Sequence, residues 1–294
     1  MKQDATRSVL ITGAGSYLGQ QTIHDLLSAT DWAVVAVGSP RLELAHCVPA
    51  GERLRYLSED LSEPSAGLKS ALAAVDVVIH LAWVRHPLAN TAIEINTAIV
   101  DELLDGRSAQ AKLIFMSSVA ASPNAHSSYG QAKFALAEHV ARAGGIVLTC
   151  GLVCAEQPQG PYKQLVGAVD RLPVRVLPVG RPPNVYPVAL TDVLAGLRSV
   201  AGSEAASGIY RLWADVIPMH RFLAELPVRA RSFRLPVPVP FFLINPVVSL
   251  FRTIRLLSAA TADQLKTFLF KDDAYLARLS RLPDVDFAAR RSRG

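Results

Sequence analysis

Short apolar runs alternate with helix-length stretches through the first half of this chain, and few folds accept that rhythm. Val9-Leu-Ile-Thr12, Trp32-Ala-Val-Val-Ala-Val37, Asp76-Val-Val-Ile-His-Leu81, Lys112-Leu-Ile-Phe-Met-Ser117 and Gly145-Ile-Val-Leu-Thr149 read as strands, with Arg53-Leu-Arg-Tyr-Leu57 a shorter one. Helices are expected from about Tyr17 to Ala29 and from about Ser128 to Ala143. Between the fourth and fifth strands, Ile93, Ala98, Ile99 and Leu103 follow helical spacing. Strands that are apolar throughout must be buried on both faces, which predicts a parallel sheet with helices on each side. Right-handed crossovers then give a doubly wound, Rossmann-like α/β fold, with its ligand crevice at the carboxyl ends of the strands.

Past residue 155 the rhythm loosens, with prolines at 158, 161, 173, 178, 182, 183 and 187. Two parts are therefore expected: a dinucleotide-binding core over 1–155, and over 156–294 a smaller, mostly helical substrate-binding region built on the same sheet edge. No internal repeat or low-complexity segment is evident.

A 294-residue chain that is 50% hydrophobic and 19% charged is globular, not disordered. Its net charge of +5 is modest, and nucleic acid is not an expected partner. Much of the excess lies in Arg229, Arg231, Arg234, Arg252 and Arg255 and in the tail Arg290, Arg291 and Arg293. They read as a plain solvated surface and a frayed tail, with contacts to a phosphate-bearing ligand as the alternative. Cys47, Cys150 and Cys154 are too few for a disulfide framework and lack zinc-ligand spacing, so buried thiols in a reducing cytoplasm, and no metal, are expected. Residues 1–7 run straight into the first strand, with no signal peptide expected. Leu235 to Phe251 is uncharged but short and interrupted by Pro236, Pro238, Pro240 and Pro246. It reads as a lid or core element rather than a span, with membrane-surface contact as the alternative.

Between the first strand and first helix stands Thr12-Gly13-Ala14-Gly15-Ser16-Tyr17-Leu18-Gly19. Glycines there let the backbone turn sharply and approach a pyrophosphate, while the helix N-terminus presents N–H groups and a positive dipole end. The second strand ends Val37-Gly38-Ser39-Pro40-Arg41, with no carboxylate before Glu43. A ribose 2′-hydroxyl is usually met here by an acid and a 2′-phosphate by an arginine, so Ser39 and Arg41 favour NADP, with NAD the alternative.

Tyr129 and Lys133 are four apart at the start of a helix and share a face; Ser118 ends the fifth strand at the sheet's carboxyl edge. A free phenol with a pKa of about 10 is a poor base near neutrality, and a fixed ammonium beside it stabilises the phenolate. The set suits proton transfer to or from a hydroxyl while a nicotinamide carries the hydride, with Ser118 holding the substrate oxygen.

With Asp60-Leu61, Val77-Val-Ile-His-Leu-Ala82, Asn96, Phe115-Met-Ser-Ser118, Tyr129-Gly-Gln-Ala-Lys133 and Tyr186-Pro-Val-Ala-Leu-Thr-Asp192, the chain resembles the extended short-chain dehydrogenase/reductases. That group includes nucleotide-sugar epimerases and dehydratases and steroid- or flavonoid-type reductases. The resemblance implies Tyr129 as acid/base, Lys133 on the nicotinamide ribose, and Ser118 orienting substrate. It further implies Gly13, Gly15, Ser16, Tyr17, Leu18 and Gly19 at the pyrophosphate, Asp60 and Leu61 at the adenine, Leu81 and Ala82 behind the cofactor, Asp192 as a brace, and a homodimer. The chain departs from the group's pattern in three places. Ser16 stands where the middle glycine is common, the arginine often following the sixth strand is missing from Leu148-Thr-Cys-Gly-Leu-Val-Cys154, and the Ser118–Tyr129 interval is short.

Those departures loosen the tie to nucleotide sugars. Trp83, His86 and Tyr186 are candidate pocket residues, with Trp213, Phe241 and Phe242 behind them, although aromatics in such places more often serve as simple core and a lone loop histidine is usually just solvated. Three readings stand: an NADP-dependent oxidoreductase acting on a carbonyl or alcohol of an apolar small molecule, a nucleotide-sugar epimerase or dehydratase that retains NAD, and a non-catalytic dinucleotide-binding regulator.

Overall fold

A computed structural model of the protein describes residues 7–39, 51–84, 86, 88–171, 175–180, 183–204, 206–226, 236–240, 267 and 270–282. The first half runs β1 (Ser8–Thr12), α1 (Tyr17–Ala29), β2 (Ala33–Gly38), β3 (Leu54–Ser58), α2 (Ala66–Ala74), β4 (Val77–His80), α3 (Ala89–Gly106), β5 (Lys112–Ser118), α4 (Ser128–Arg142) and β6 (Ile146–Cys150). It continues through β7 (Leu152–Cys154), α5 (Gly160–Arg171), β8 (Arg175–Val179), β9 (Asn184–Val185), β10 (Pro187–Ala189), α6 (Leu190–Gly202) and β11 (Gly208–Leu212). Last come β12 (Ile217–Pro218), α7 (Met219–Ala224), β13 (Pro236–Pro240), α8 (Asp273–Leu276) and β14 (Ser280–Arg281).

Eight strands make one parallel sheet in the order β14-β11-β6-β5-β4-β1-β2-β3. The alternation of side chains along β1 shows why the strands are apolar throughout. Val9 and Ile11 face α1 and α6, packing with Ile23, Leu26, Val193 and Leu197. Leu10 faces the opposite layer and packs with Leu72 of α2, Leu103 of α3 and Leu136 of α4. The chain leaves β1 toward β2 and β3, then returns to β4 on the other side. This reversal opens a crevice at the carboxyl ends of β1 and β4.

Helix α1 begins at an N-cap, Ser16, whose hydroxyl accepts from the Gly19 N–H at 3.0 Å. Its other end is closed by Arg53 at the start of β3, donating to the carbonyls of Leu27 and Thr30 at 2.6 Å each. In the second half, short strands are interleaved with helices, and β11 and β14 add themselves to the main sheet beside β6. A smaller core of Tyr162, Val185, Met219, Phe222 and Leu226 sits apart from it. Of the apolar 235–251 segment, residues 236–240 form β13, parallel to β8; the rest lies outside the described residues. Prolines at alternate positions leave one edge of β13 without N–H donors, so no further strand can pair there. Among the described residues, no helix is long and apolar enough to cross a membrane.

Candidate active site

The glycine turn and the end of β4 are pressed together. Gly13 has φ +74°, and a Cβ there would lie 2.7 Å from the Ala82 nitrogen. A Cβ on Gly19 would lie 2.3 Å from the Gly13 carbonyl oxygen. The turn can close this tightly only without side chains at those two positions. Gly13→Ala is expected to destabilise the fold by about 2–4 kcal/mol, combining left-handed strain with backbone overlap. Gly144→Ala is the matched control, since Gly144 has φ +80° but open space around it. It should show strain alone, about 1–2 kcal/mol in urea denaturation.

The turn fits the pyrophosphate of a dinucleotide. The first-turn amides of Tyr17 and Leu18 have no intrahelical acceptor, and that turn carries no acidic residue. Ser16, in the place of the middle glycine, spends its hydroxyl on the Gly19 N–H, so the substitution caps the helix and keeps the turn closed.

Beneath the turn lies a buried polar pair. His80 Nδ1 and Thr12 Oγ1 are 2.7 Å apart, and Thr12 Oγ1 also accepts from the Ala82 N–H at 3.4 Å. The imidazole stacks on Phe115 with centroids 5.8 Å apart. Burial, and then the charge of Lys133, push its pKa down to about 3, so it is neutral. Its Nε2 and the Ser117 hydroxyl are buried without a partner among the described residues.

Beyond His80 the chain passes Leu81, Ala82 and Trp83, and both the N–H and the C=O of Val84 bond to the buried side chain of Asn96, at 3.0 and 2.8 Å. Asn96 therefore holds the β4–α3 connection in place. Ser118 ends β5, its hydroxyl accepting from the Ala120 N–H at 3.2 Å. Ser127 caps α4 by accepting from the Gly130 N–H, and a Cβ on Gly130 would lie 2.4 Å from the Ala120 carbonyl oxygen. The start of α4, and Tyr129 with it, is thereby seated on the loop that follows Ser118.

Lys133, one turn along α4, is 4% exposed. Its ammonium donates to the Met116 carbonyl at 2.8 Å and lies 4.2 Å from the Trp83 ring centroid and 4.5 Å from that of Phe115. Burial pushes its pKa down to about 7. Trp83 also meets the Tyr129 ring edge-on, with centroids 5.4 Å apart.

The other sequence-selected residues are placed less centrally. Gly15 offers its carbonyl to the Gln20 side chain at 3.1 Å. Ser39 is exposed just past β2, whereas Arg41 lies outside the described residues, as do Phe241 and Phe242. Asp60 accepts from the N–H and hydroxyl of Ser62 at 3.0 and 2.5 Å, shaping the turn after β3, and Leu61 packs on the α2–α4 core. His86 Nδ1 accepts from the Leu88 N–H at 3.2 Å. Tyr186 is buried against Trp213, and its hydroxyl donates to Asp273 at 2.5 Å. Burial, and then that carboxylate, push its pKa well above the usual phenol range. Burial pushes the Cys150 thiol up to about 12, with Cys154 adding to it.

Sequence reasoning missed a strap over 270–276. Asp273 also accepts from Asn184 at 2.7 Å, Asp272 accepts from Asn124 at 2.8 Å, and Phe270 lies 5.1 Å from His126. It joins β9 to the loop between Ser118 and Tyr129. Nothing in the spacing of these residues along the chain signals that contact. Among the described residues, no group of three His, Cys, Asp or Glu side chains is placed to hold a metal ion.

The profile of the family described as "NAD dependent epimerase/dehydratase family" matches residues 9–149, the stretch that builds β1 through β6. Over that stretch, just under half of the chain, the sequence is similar to this family. No curated protein matches the chain by sequence. Solved structures do match by fold. The structure of gox2253 is 18% identical, covering 93% of this chain and 92% of that one with a TM-score of 0.65. The terminal R domain from the myxalamid PKS-NRPS biosynthetic pathway is 15% identical over 90% of this chain and 79% of its own, with a TM-score of 0.64. UDP-glucuronic acid 4-epimerase from Bacillus cereus, in complex with UDP-glucuronic acid and NAD, is 15% identical, covering 79% of this chain and 86% of its own, with a TM-score of 0.60. At these identities the likeness is one of fold. The description of the matched family names NAD, and the Thr12–Gly19 turn suits a dinucleotide.

Proposed function

We infer that the protein is an NADP-dependent oxidoreductase that moves hydride between the nicotinamide and a carbonyl or alcohol of an apolar small molecule. The observation that carries this is the convergence of the Gly13–Gly19 turn, the Ser118 loop, Tyr129 and the buried Lys133 at the carboxyl edge of one sheet. The turn would hold the pyrophosphate through the amides of Tyr17 and Leu18. Lys133 would hold the nicotinamide ribose, and Leu81 and Ala82 would back the cofactor. When bound, the nicotinamide supplies the hydride chemistry. Tyr129 gives the proton to the substrate oxygen in reduction and takes it in oxidation, while Ser118 orients that oxygen.

The choice of NADP rests on sequence, on Ser39 and Arg41 standing where an acid would mark NAD. The apolar substrate is supported by the indole of Trp83 beside Tyr129. A second reading, a nucleotide-sugar epimerase or dehydratase with retained NAD, is favoured by fold neighbours bound to both NAD and UDP-glucuronic acid.

The test is to identify by mass the dinucleotide that accompanies the purified protein, and to follow NADPH oxidation with a panel of apolar carbonyl compounds. Exchangeable NADP and carbonyl-dependent NADPH consumption are expected. Tightly held NAD that does not exchange, with no net consumption, would transfer the reading to the epimerase. If neither dinucleotide binds, both readings fail.

A further inference from the structure

We propose that the indole of Trp83 is a displaceable cover for the Lys133 ammonium, holding the place that the nicotinamide ribose takes when the cofactor binds. The proposal rests on the cofactor reading above and adds a residue to it. Of the three N–H donors of Lys133, one meets the Met116 carbonyl at 2.8 Å. Two ring faces flank the nitrogen, with centroids at 4.5 Å for Phe115 and 4.2 Å for Trp83. A hydroxyl oxygen is a stronger partner for an ammonium than a ring face, so a ribose would win this contact from an indole.

Only one of the two rings can yield. Phe115 is fully buried in β5, stacked on His80. Trp83 is partly exposed, packs only on the rim of the α2–α4 core, and lies past the end of β4, outside any strand or helix. The backbone around it is held: the Ala82 N–H by Thr12, and both polar groups of Val84 by Asn96. The cover therefore opens by rotation of the Trp83 side chain, with its main chain in place. Rotation would also break its edge contact with Tyr129, leaving that ring to face the nicotinamide. The low pKa of Lys133, caused by burial, agrees with an amine kept dry until a hydroxyl-bearing ligand reaches it.

The chain has three tryptophans, so their ¹⁵N-indole resonances can be followed separately while the full-length protein is titrated with NADPH and then NADH. The Trp83 resonance is expected to shift on binding, and that of Trp213, buried under Tyr186, to stay. Trp83→Ala removes the competitor and should tighten dinucleotide binding several-fold, up to about thirty-fold. Trp83→Phe, which keeps a ring, should fall between. In a Lys133→Met background, Trp83→Ala should leave the affinity unchanged, because the competition is for the ammonium. Bound dinucleotide, seen by nicotinamide emission, with an unmoved Trp83 resonance overturns the cover alone. So does weaker binding by Trp83→Ala and Trp83→Phe. Absence of binding to the wild-type protein overturns the cofactor reading and the cover with it.

Discussion

Lys133→Met is expected to abolish turnover and, at the same time, to make the dinucleotide-free protein more stable at neutral pH. The ammonium titrates at 10.5 when free and at about 7 in the fold, lowered by burial. Between those values the unfolded chain binds more protons than the folded one, so stability rises with pH across the window from about 7 to 10.5. Below about pH 7 the charged group is buried at its full cost, roughly 5 kcal/mol from the shift alone. Methionine removes that cost but leaves the Met116 carbonyl without its donor, a loss of about 1–3 kcal/mol. The net gain is about 2–4 kcal/mol at pH 6.5, and it should vanish and reverse by about pH 10. Urea denaturation of both proteins at pH 6.5, 8 and 10 measures it directly. Tyr129→Phe is the companion: it should lose about 10²- to 10⁴-fold in turnover while keeping the wild-type dependence of stability on pH. Parallel pH profiles for wild type and Lys133→Met would show that this lysine is not buried as a cation.

A lysine set against its own fold in this way could not be seen in the sequence, although its position could. The spacing of Tyr129 and Lys133 and the strand end at Ser118 are local facts, and the helix over Ser128–Arg142 follows from them. Helix α1 likewise has the bounds expected from the glycine turn and the apolar periodicity. The nine-residue helix α2 was missed, because Ala66–Ala74 is short and its apolar face is only Leu68, Ala71 and Leu72. The pairing of β11 with β6 and of β14 with β11 was also not legible. Residues 208–211 are half-buried and 280–281 exposed, so neither strand carries the continuous apolar signal that marked the central strands.

Within the site, the gaps have one physical cause, which is distance along the chain. Thr12 and His80 are 68 residues apart, Tyr186 and Asp273 87, and Asn124 and Asp272 148. Each residue alone is an ordinary polar side chain; the parallel sheet and the strap make them partners. Ser16 illustrates the converse. Its place in the turn was plain from sequence, but only the geometry shows its hydroxyl replacing a glycine's freedom with a cap on Gly19.

The His80 pair makes the second large prediction, a fold that weakens in mild acid for one identifiable reason. The free imidazole titrates at 6.5 and the buried one at about 3, chiefly through burial and then through the Lys133 charge. Below 6.5 the unfolded chain takes up a proton that the folded protein refuses. Stability is therefore complete above about pH 6.5 and is lost as the pH falls from there toward 3, by about 1.4 kcal/mol for each unit. From pH 6.5 to pH 5 this one side chain should remove about 2 kcal/mol. His80→Asn offers Thr12 a partner without a titrating ring, at the cost of a small cavity beside Phe115, about 1–3 kcal/mol at pH 7. The variant should start less stable and lose less, so that the two urea-midpoint profiles converge between pH 7 and pH 4.5. Adding Lys133→Met to the wild-type His80 should also soften the acid loss, because the neighbouring charge is part of what keeps the ring neutral. A His80→Asn profile that runs parallel to wild type would mean that carboxylates elsewhere govern the acid limb, and that His80 accepts its proton with the fold intact.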